Sequence, residues 1–239
     1  MEAFDLSSEP MLEVLIAKGI TNFFHANTVL TSYTFLEHSN LLSRKFIEDN
    51  ELRQTPQYTD DIDKKYNIYN DIFMDTVDIH ERARRRNNYG PILFVFPLNI
   101  LSTLKISFVR FTKKNPSKWN DDDLPTDRYF HSVEEFKNGY SKGNFDTMMI
   151  IPNRDKLPLL NTLDQVIFDK PEMHWKDNGK NLTDEAVEYL KAAAVNGGLS
   201  NKGIGIRFRK CDARICNCFN QYIAINNHGK IIEIFRYVP

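Results

Sequence analysis

Five consecutive apolar residues, Ile92-Leu93-Phe94-Val95-Phe96, follow the break Gly90-Pro91. A run without polar alternation marks a strand covered on both faces. The chain must therefore build a sheet inside a layered domain. Around this strand the pattern is mixed. Residues 9–18 read as a short helix stopped by Gly19, and Ile20 to Asn27 as a β-branched and aromatic strand. Residues 28–39 return to helix, and Leu41 to Arg44 is a short extended piece. Glu48 to Asn70 is a polar excursion, and such long excursions are often functional. Leu104 to Thr112, Phe145 to Ile151 and Val166 to Phe168 read as further strands. Ser132 starts a short helix, and Thr183 caps a longer one ended by Gly197-Gly198. Gly205–Phe208, Asn220–Asn226 and Ile231–Tyr237 are expected to be strands, with Asn226 to Gly229 as a hairpin turn. The elements do not alternate as βαβ units, so the expected class is α+β.

Composition narrows the function. The 239 residues are 41% hydrophobic and 26% charged, which suits a folded domain. Aromatic residues are spread along the chain, so residues 1–239 are expected to share one core. Lys and Arg number 31 against 32 Asp and Glu, which excludes a uniformly basic nucleic-acid binder but not a locally basic face. No apolar run approaches the roughly 18–20 residues of a spanning helix. The acidic start Met1-Glu2-Ala3-Phe4-Asp5 lacks the layout of a signal peptide, and three cysteines do not make a disulfide framework. The expectation is a reduced, cytoplasmic protein without a membrane partner.

Most signatures of chemistry are missing from the sequence: there is no phosphate-binding loop, no G-x-G-x-x-G, no nucleophile elbow and no H-E-x-x-H. Cys211-x4-Cys216-x-Cys218, with His228 farther on, lacks the usual spacing of a zinc site. The expected state is buried reduced thiols and no metal. His25 ends an apolar strand and is placed to meet a ligand, or else is a satisfied structural residue. Basic residues gather at Arg82–Arg86, Lys105–Lys118 and Lys202–Arg214, opposed by acidic clusters at Asp60–Asp63 and Asp121–Asp123. They suit either a solvated face or a polyanion-binding groove with an acidic back, near aromatics such as Tyr89 and Trp119 that can stack on bases. Asp146, beside the apolar strand that stops at Pro152, is either a fixed acid at a strand mouth or the cap of a turn.

Phe23-Phe24-His25-Ala26-Asn27-Thr28, a helix and then Leu41-Leu42-Ser43 resemble the opening of the ADP-ribosyltransferase fold. The likeness is to its DarT-type nucleic-acid-modifying toxins and their mRNA-modifying relatives in phage defence. Val77 to Arg85, followed by Gly90 and the Ile92 strand, is similar to the stretch that contributes an Arg to the NAD site of that family. Phe145 to Pro152 is similar to the strand that carries its catalytic Glu. Here the acid is Asp146, one methylene shorter and two residues farther from the Pro, with Glu134 and Glu135 as substitutes nearby. The matches span roughly residues 20–170.

The resemblance implies a core of two packed, mostly antiparallel sheets with peripheral helices. Residues 171–239 would complete it as a C-terminal helix and strands. It implies NAD as co-substrate, with His25, Asn27, Ser43 and Arg85 binding it and with Asp146 and Arg82 catalytic. The acceptor would be a base of single-stranded RNA or DNA, and a neutralising antitoxin would be the partner. Two other readings stand beside it: a nuclease or non-catalytic nucleic-acid-binding module, and a structural partner without a ligand.

Overall fold

In the computed structural model the Ile92–Pro97 strand lies inside an eight-stranded sheet, paired on both edges. The structure describes residues 2–171, 176–177, 179–214 and 216–236. The strands are β1 (Leu6–Ser7), β2 (Asn22–Asn27), β3 (Asn40–Leu42), β4 (Ile72–Asp75), β5 (Ile92–Pro97), β6 (Phe108–Phe111), β7 (Met148–Ile151), β8 (Lys156–Pro158), β9 (Gln165–Pro171), β10 (Lys176–Asp177), β11 (Lys180–Asn181) and β12 (Ile206–Cys211). The helices are α1 (Ser8–Ala17), α2 (Val29–Glu37), α3 (Arg44–Asp49), α4 (Asp60–Lys65), α5 (Ile79–Ala83), α6 (Ile100–Thr103), α7 (Pro125–Arg128), α8 (Val133–Gly139), α9 (Leu182–Asn196), α10 (Cys218–Ile223) and α11 (His228–Phe235).

The sheet order is β1-β6-β7-β4-β2-β5-β9-β12, with β3–β8 and β10–β11 as small separate ribbons. Neighbours are antiparallel except β9 and β12. Pairing is uneven along the order. β2 matches β5 from Asn22 to Asn27, whereas β2 meets β4 at one position, Phe24 opposite Asp75. The sheet is thus divided into two four-stranded halves, β1-β6-β7-β4 and β2-β5-β9-β12, joined at a point. This is the α+β class that the sequence predicts, its two largely antiparallel halves belonging to one sheet thinly joined at a seam.

The period of two along β5 explains its composition. Ile92, Phe94 and Phe96 enter the main core with Phe23 and Phe168, under α2, α9 and α11. Leu93 and Val95 face the other way, against Ala26 and Ile167, with Phe24 and Tyr89 over them. The main core draws on residues from Leu6 to Phe235. Gly90 meets a tight demand: its φ is +142°, and a Cβ there would stand 2.2 Å from the Asn27 carbonyl oxygen. Only glycine lets the loop carrying Tyr89 press against the end of β2. No helix among the described residues is long and apolar enough to cross a membrane.

Three sequence expectations are corrected. Where the sequence predicts strands at 220–226 and 231–237, Cys218–Ile223 and His228–Phe235 are helices. The buried pairs Cys218/Tyr222 and Ile231/Phe235 are spaced four apart, the helical period, which short apolar runs conceal. The expected hairpin turn is the entry to α11, where the Asn227 side chain accepts from Lys230 N–H. The cap of α9 is Asn181, accepting from Thr183 and Asp184 N–H, ahead of the expected Thr183. Residues beyond 236 lie outside the described set.

Candidate active site

The seam between the half-sheets is open, and His25 sits in it. Its Nδ1 lies 2.8 Å from the Phe73 carbonyl oxygen on β4, a side-chain bond across the gap where backbone pairing has lapsed. A carbonyl only accepts, so Nδ1 carries the proton and Nε2 holds a lone pair. Asn27 Nδ2 stands 3.4 Å from that Nε2. Burial pushes the His25 pKa down to about 4, against the Phe73 carbonyl, which raises it; Arg44 adds to the lowering. The imidazole is therefore neutral near pH 7, its ring beside Phe35 and Phe94 at 5.7 and 6.5 Å.

Around His25 is a narrow recess of about 70 Å³, lined by aromatic side chains (Phe24, Phe35, Phe73, Tyr89) and by Asp63, Asp71, Asp75, Arg44 and Gln57. By the measure of one water per roughly 10–15 Å³, it has room for several waters or one small ring. Burial shifts its acids toward the neutral form. Burial raises Asp75 to about 7 with no other cause acting on it. Asp63 also rises to about 7, through burial and then the charge of Asp60. Asp71 rises to about 6 through burial, although the Asn153 N–H opposes the shift. Arg44 is committed to a forked pair with Asp60, Nε–Oδ1 2.9 Å and Nη2–Oδ2 2.6 Å, and donates Nη1 to the Thr55 carbonyl at 3.0 Å.

Asp75, Tyr89 and Asn115 also line a wider basin of about 830 Å³, walled by Arg85, Arg86, Lys118, Phe145, Asp146 and Gln221. The two hollows share Asp75, Tyr89 and Asn115 as a common wall. Asp146 precedes β7 instead of sitting in it: its N–H donates to Asn144 Oδ1 at 3.0 Å, forming a turn, and its Oδ1 accepts from Lys118 at 2.5 Å. Of its two sequence readings, the turn is the one its backbone follows, and its carboxylate lines the basin beside Lys118. The Arg85 guanidinium lies 4.6 Å from the Phe145 ring centroid, and Arg86 N–H donates to Gln221 Oε1 at 2.8 Å.

The remaining sequence candidates stand around these hollows. Asn27 and His25 line the recess. Ser43 does not: its Oγ accepts from Phe46 N–H to cap α3 and donates to Asn70 Oδ1 at 2.8 Å, while its neighbours Leu42 and Arg44 line the recess. Arg82 is exposed and donates to the Lys142 carbonyl at 3.2 Å, beside Gly143 of the basin rim. Glu134 and Glu135 line neither hollow; Glu135 pairs with Lys113 at 2.5 Å and accepts from His131 N–H. The three cysteines gather elsewhere, around His80 and not His228.

Sequence reasoning missed Asp75 and Arg44. For Asp75 the signal was an acid closing the apolar run Ile72-Phe73-Met74, and for Arg44 its position directly after a buried strand. Both needed the partner strand in place before they could be assigned to a cleft.

An α+β protein with a cleft across a divided sheet, a neutral histidine inside it and a basic basin outside is the class that fold and site define. No protein-family model matches the chain, and no curated protein matches it. Among solved structures the chain is similar to Thermus sp. 2.9 DarT in complex with ADP-ribosylated ssDNA, at TM-score 0.47 and 11% identity over 81% of this chain and 94% of that one. It is also similar to the same protein in complex with NAD+, at TM-score 0.46 and 10% identity over 80% and 96%. The complex with carba-NAD+ matches at TM-score 0.43 and 10% identity over 82% and 98%.

Proposed function

We propose that this chain is an NAD-consuming ADP-ribosyltransferase acting on a base of single-stranded DNA or RNA, a single-domain cytoplasmic effector restrained by a neutralising partner protein. The observation that carries the reading is the seam itself. A neutral His25 and a buried Asp75 line one small recess that shares a wall with an arginine-lined basin. A dinucleotide with a cationic ring at one end and a pyrophosphate in the middle matches that polarity.

In this reading the recess takes the nicotinamide ring between Phe24, Phe73 and Tyr89. His25 Nε2 accepts from a ribose hydroxyl in place of the long contact to Asn27 Nδ2, while the Phe73 carbonyl keeps the imidazole turned toward it. Arg85 and Arg86 meet the pyrophosphate. Asp75 ionises as the pyridinium cation approaches and stabilises the positive charge that grows at the ribose carbon. The ribose–nitrogen bond breaks with its electron pair leaving on neutral nicotinamide, and a base nitrogen forms the new bond. Asp146, on the mouth of the basin, orients that acceptor and takes its proton. Arg82 holds the 142–146 rim that carries Asp146, and Ser43 fixes the helix start that aims Arg44.

The test is incubation of the purified chain with labelled NAD and single-stranded DNA or RNA oligonucleotides. Expected are release of nicotinamide and transfer of label to the oligonucleotide, both lost in Asp75→Asn and His25→Ala proteins of unchanged circular dichroism. Folded protein that neither releases nicotinamide nor is stabilised by millimolar NAD sinks the proposal. Shortened oligonucleotides in the absence of NAD would instead favour a nuclease.

A further inference from the structure

His80, Cys211, Cys216 and Cys218 place one ring nitrogen and three sulfurs within 4.8 Å of one another, all four side chains buried. They come from three places in the fold. His80 lies in the first turn of α5, Cys211 ends β12, and Cys216 and Cys218 enter and open α10. His80 Nε2 is 3.2 Å from the sulfurs of both Cys211 and Cys216, and the Cys216 and Cys218 sulfurs are 2.8 Å apart. That last separation is too long for a disulfide, near 2.05 Å, and too short for unbonded sulfurs at rest. A shared ion relieves it by drawing each sulfur to roughly 2.3 Å and the nitrogen to about 2.0 Å of one centre.

We infer that His80, Cys211, Cys216 and Cys218 form a structural zinc site. Three thiolates and one imidazole, closed to solvent, are the donor set of a four-coordinate structural zinc. The surroundings suit it. Asp78 Oδ1 accepts from His80 N–H at 3.0 Å and so fixes the turn that carries the imidazole. Arg209, held by Asp78 at 2.9 Å and Asp169 at 2.8 Å, lies alongside. Its Nη1 is 3.1 Å from His80 Nδ1, and this contact opens when the zinc-bound imidazole carries its proton on Nδ1. The ion would tie α5 to α10. Both elements border the basin, through Ile79 and through Gln221, which receives the Arg86 N–H. The site is thus a strut for one basin wall, independent of what the basin binds.

The experiment is metal analysis of the full chain purified under reducing conditions without chelator or metal-affinity resin. One zinc per chain is expected, falling to background in Cys216→Ser and His80→Ala, retained in His80→Cys and unchanged in His228→Ala. Cobalt exchanged into the wild-type chain should give a thiolate-to-metal charge-transfer band and the strong visible bands of a tetrahedral site, a readout that needs no variant to fold. Protein that is folded but metal-free, that carries iron in place of zinc, or that contains a Cys216–Cys218 disulfide by mass overturns the inference.

Discussion

The inner recess and the outer basin meet at Asp75, Tyr89 and Asn115, yet their charge is laid out in opposite senses. Inside, three carboxyls face a histidine held neutral and an arginine already paired with Asp60. Outside, Arg85, Arg86 and Lys118 face two carboxyls, the shared Asp75 and Asp146, the latter paired with Lys118. The difference teaches orientation. A ligand that is cationic at one end and anionic farther along fits one way round, ring inward and phosphates outward, because the reverse would bury phosphate among carboxyls.

Breaking the inner half should have the largest effect. Asp75→Asn should lower nicotinamide release about 100- to 1,000-fold, the scale of a lost electrostatic stabiliser. His25→Ala should cost about 100-fold through misplaced ribose. The raised pKa of Asp75 gives two further expectations. Its ionisation on ligand binding means that NAD affinity should climb as pH rises toward about 7 and level off above, by up to about tenfold per pH unit. For folding the sign is opposite. A carboxyl whose folded pKa exceeds its unfolded value contributes stability that is present below the unfolded pKa, near 3.8, and is lost as pH rises from there to about 7. Asp75→Asn should therefore raise the melting temperature at pH 8 and leave it nearly unchanged near pH 4. His25, lowered to about 4, contributes the reverse: stability present above its unfolded pKa and lost as pH falls from about 6.5 to 4.

Gly90→Ala strikes the boundary between the halves, since the new Cβ collides with β2 and displaces Tyr89 from both hollows. A loss of about 3 kcal/mol is expected, read as a fall of roughly 6–12 °C in melting temperature. In the basin, Arg85→Ala with Arg86→Ala should weaken oligonucleotide and NAD binding about tenfold. The same double variant should flatten the salt dependence by about one unit for each phosphate no longer neutralised. Activity without those arginines at full level would show the polarity argument to be misplaced. Arg82→Ala, acting through the rim at Lys142, should cost only about two- to fivefold in turnover.

Much of the sheet was legible from local pattern. The apolar run at 92–96, the strand ending in His25 and Asn27, and helices 8–17 and 29–37 follow from periodicity and their glycine or extended boundaries. The C-terminal helices were not. Cys218/Tyr222 and Ile231/Phe235 supply two buried positions each, too few for a window of 3.6 to stand out from one of two. At the site, His25 and Asp146 announced themselves at the ends of apolar runs. Asp75 closes a strand in the same way, but its importance depends on its standing opposite Phe24 at the rung that joins the half-sheets.

By itself the sequence determined which segments are apolar on two faces, where the chain must turn, and where basic and acidic residues run together along the chain. Tertiary structure alone decided which of those residues share a hollow. His25 reaches Phe73, and His80 meets Cys211, only after strands distant along the chain are set side by side. Hydrogen bonding, desolvation and metal ligation act over a few ångströms, and the distance along the chain carries no trace of them.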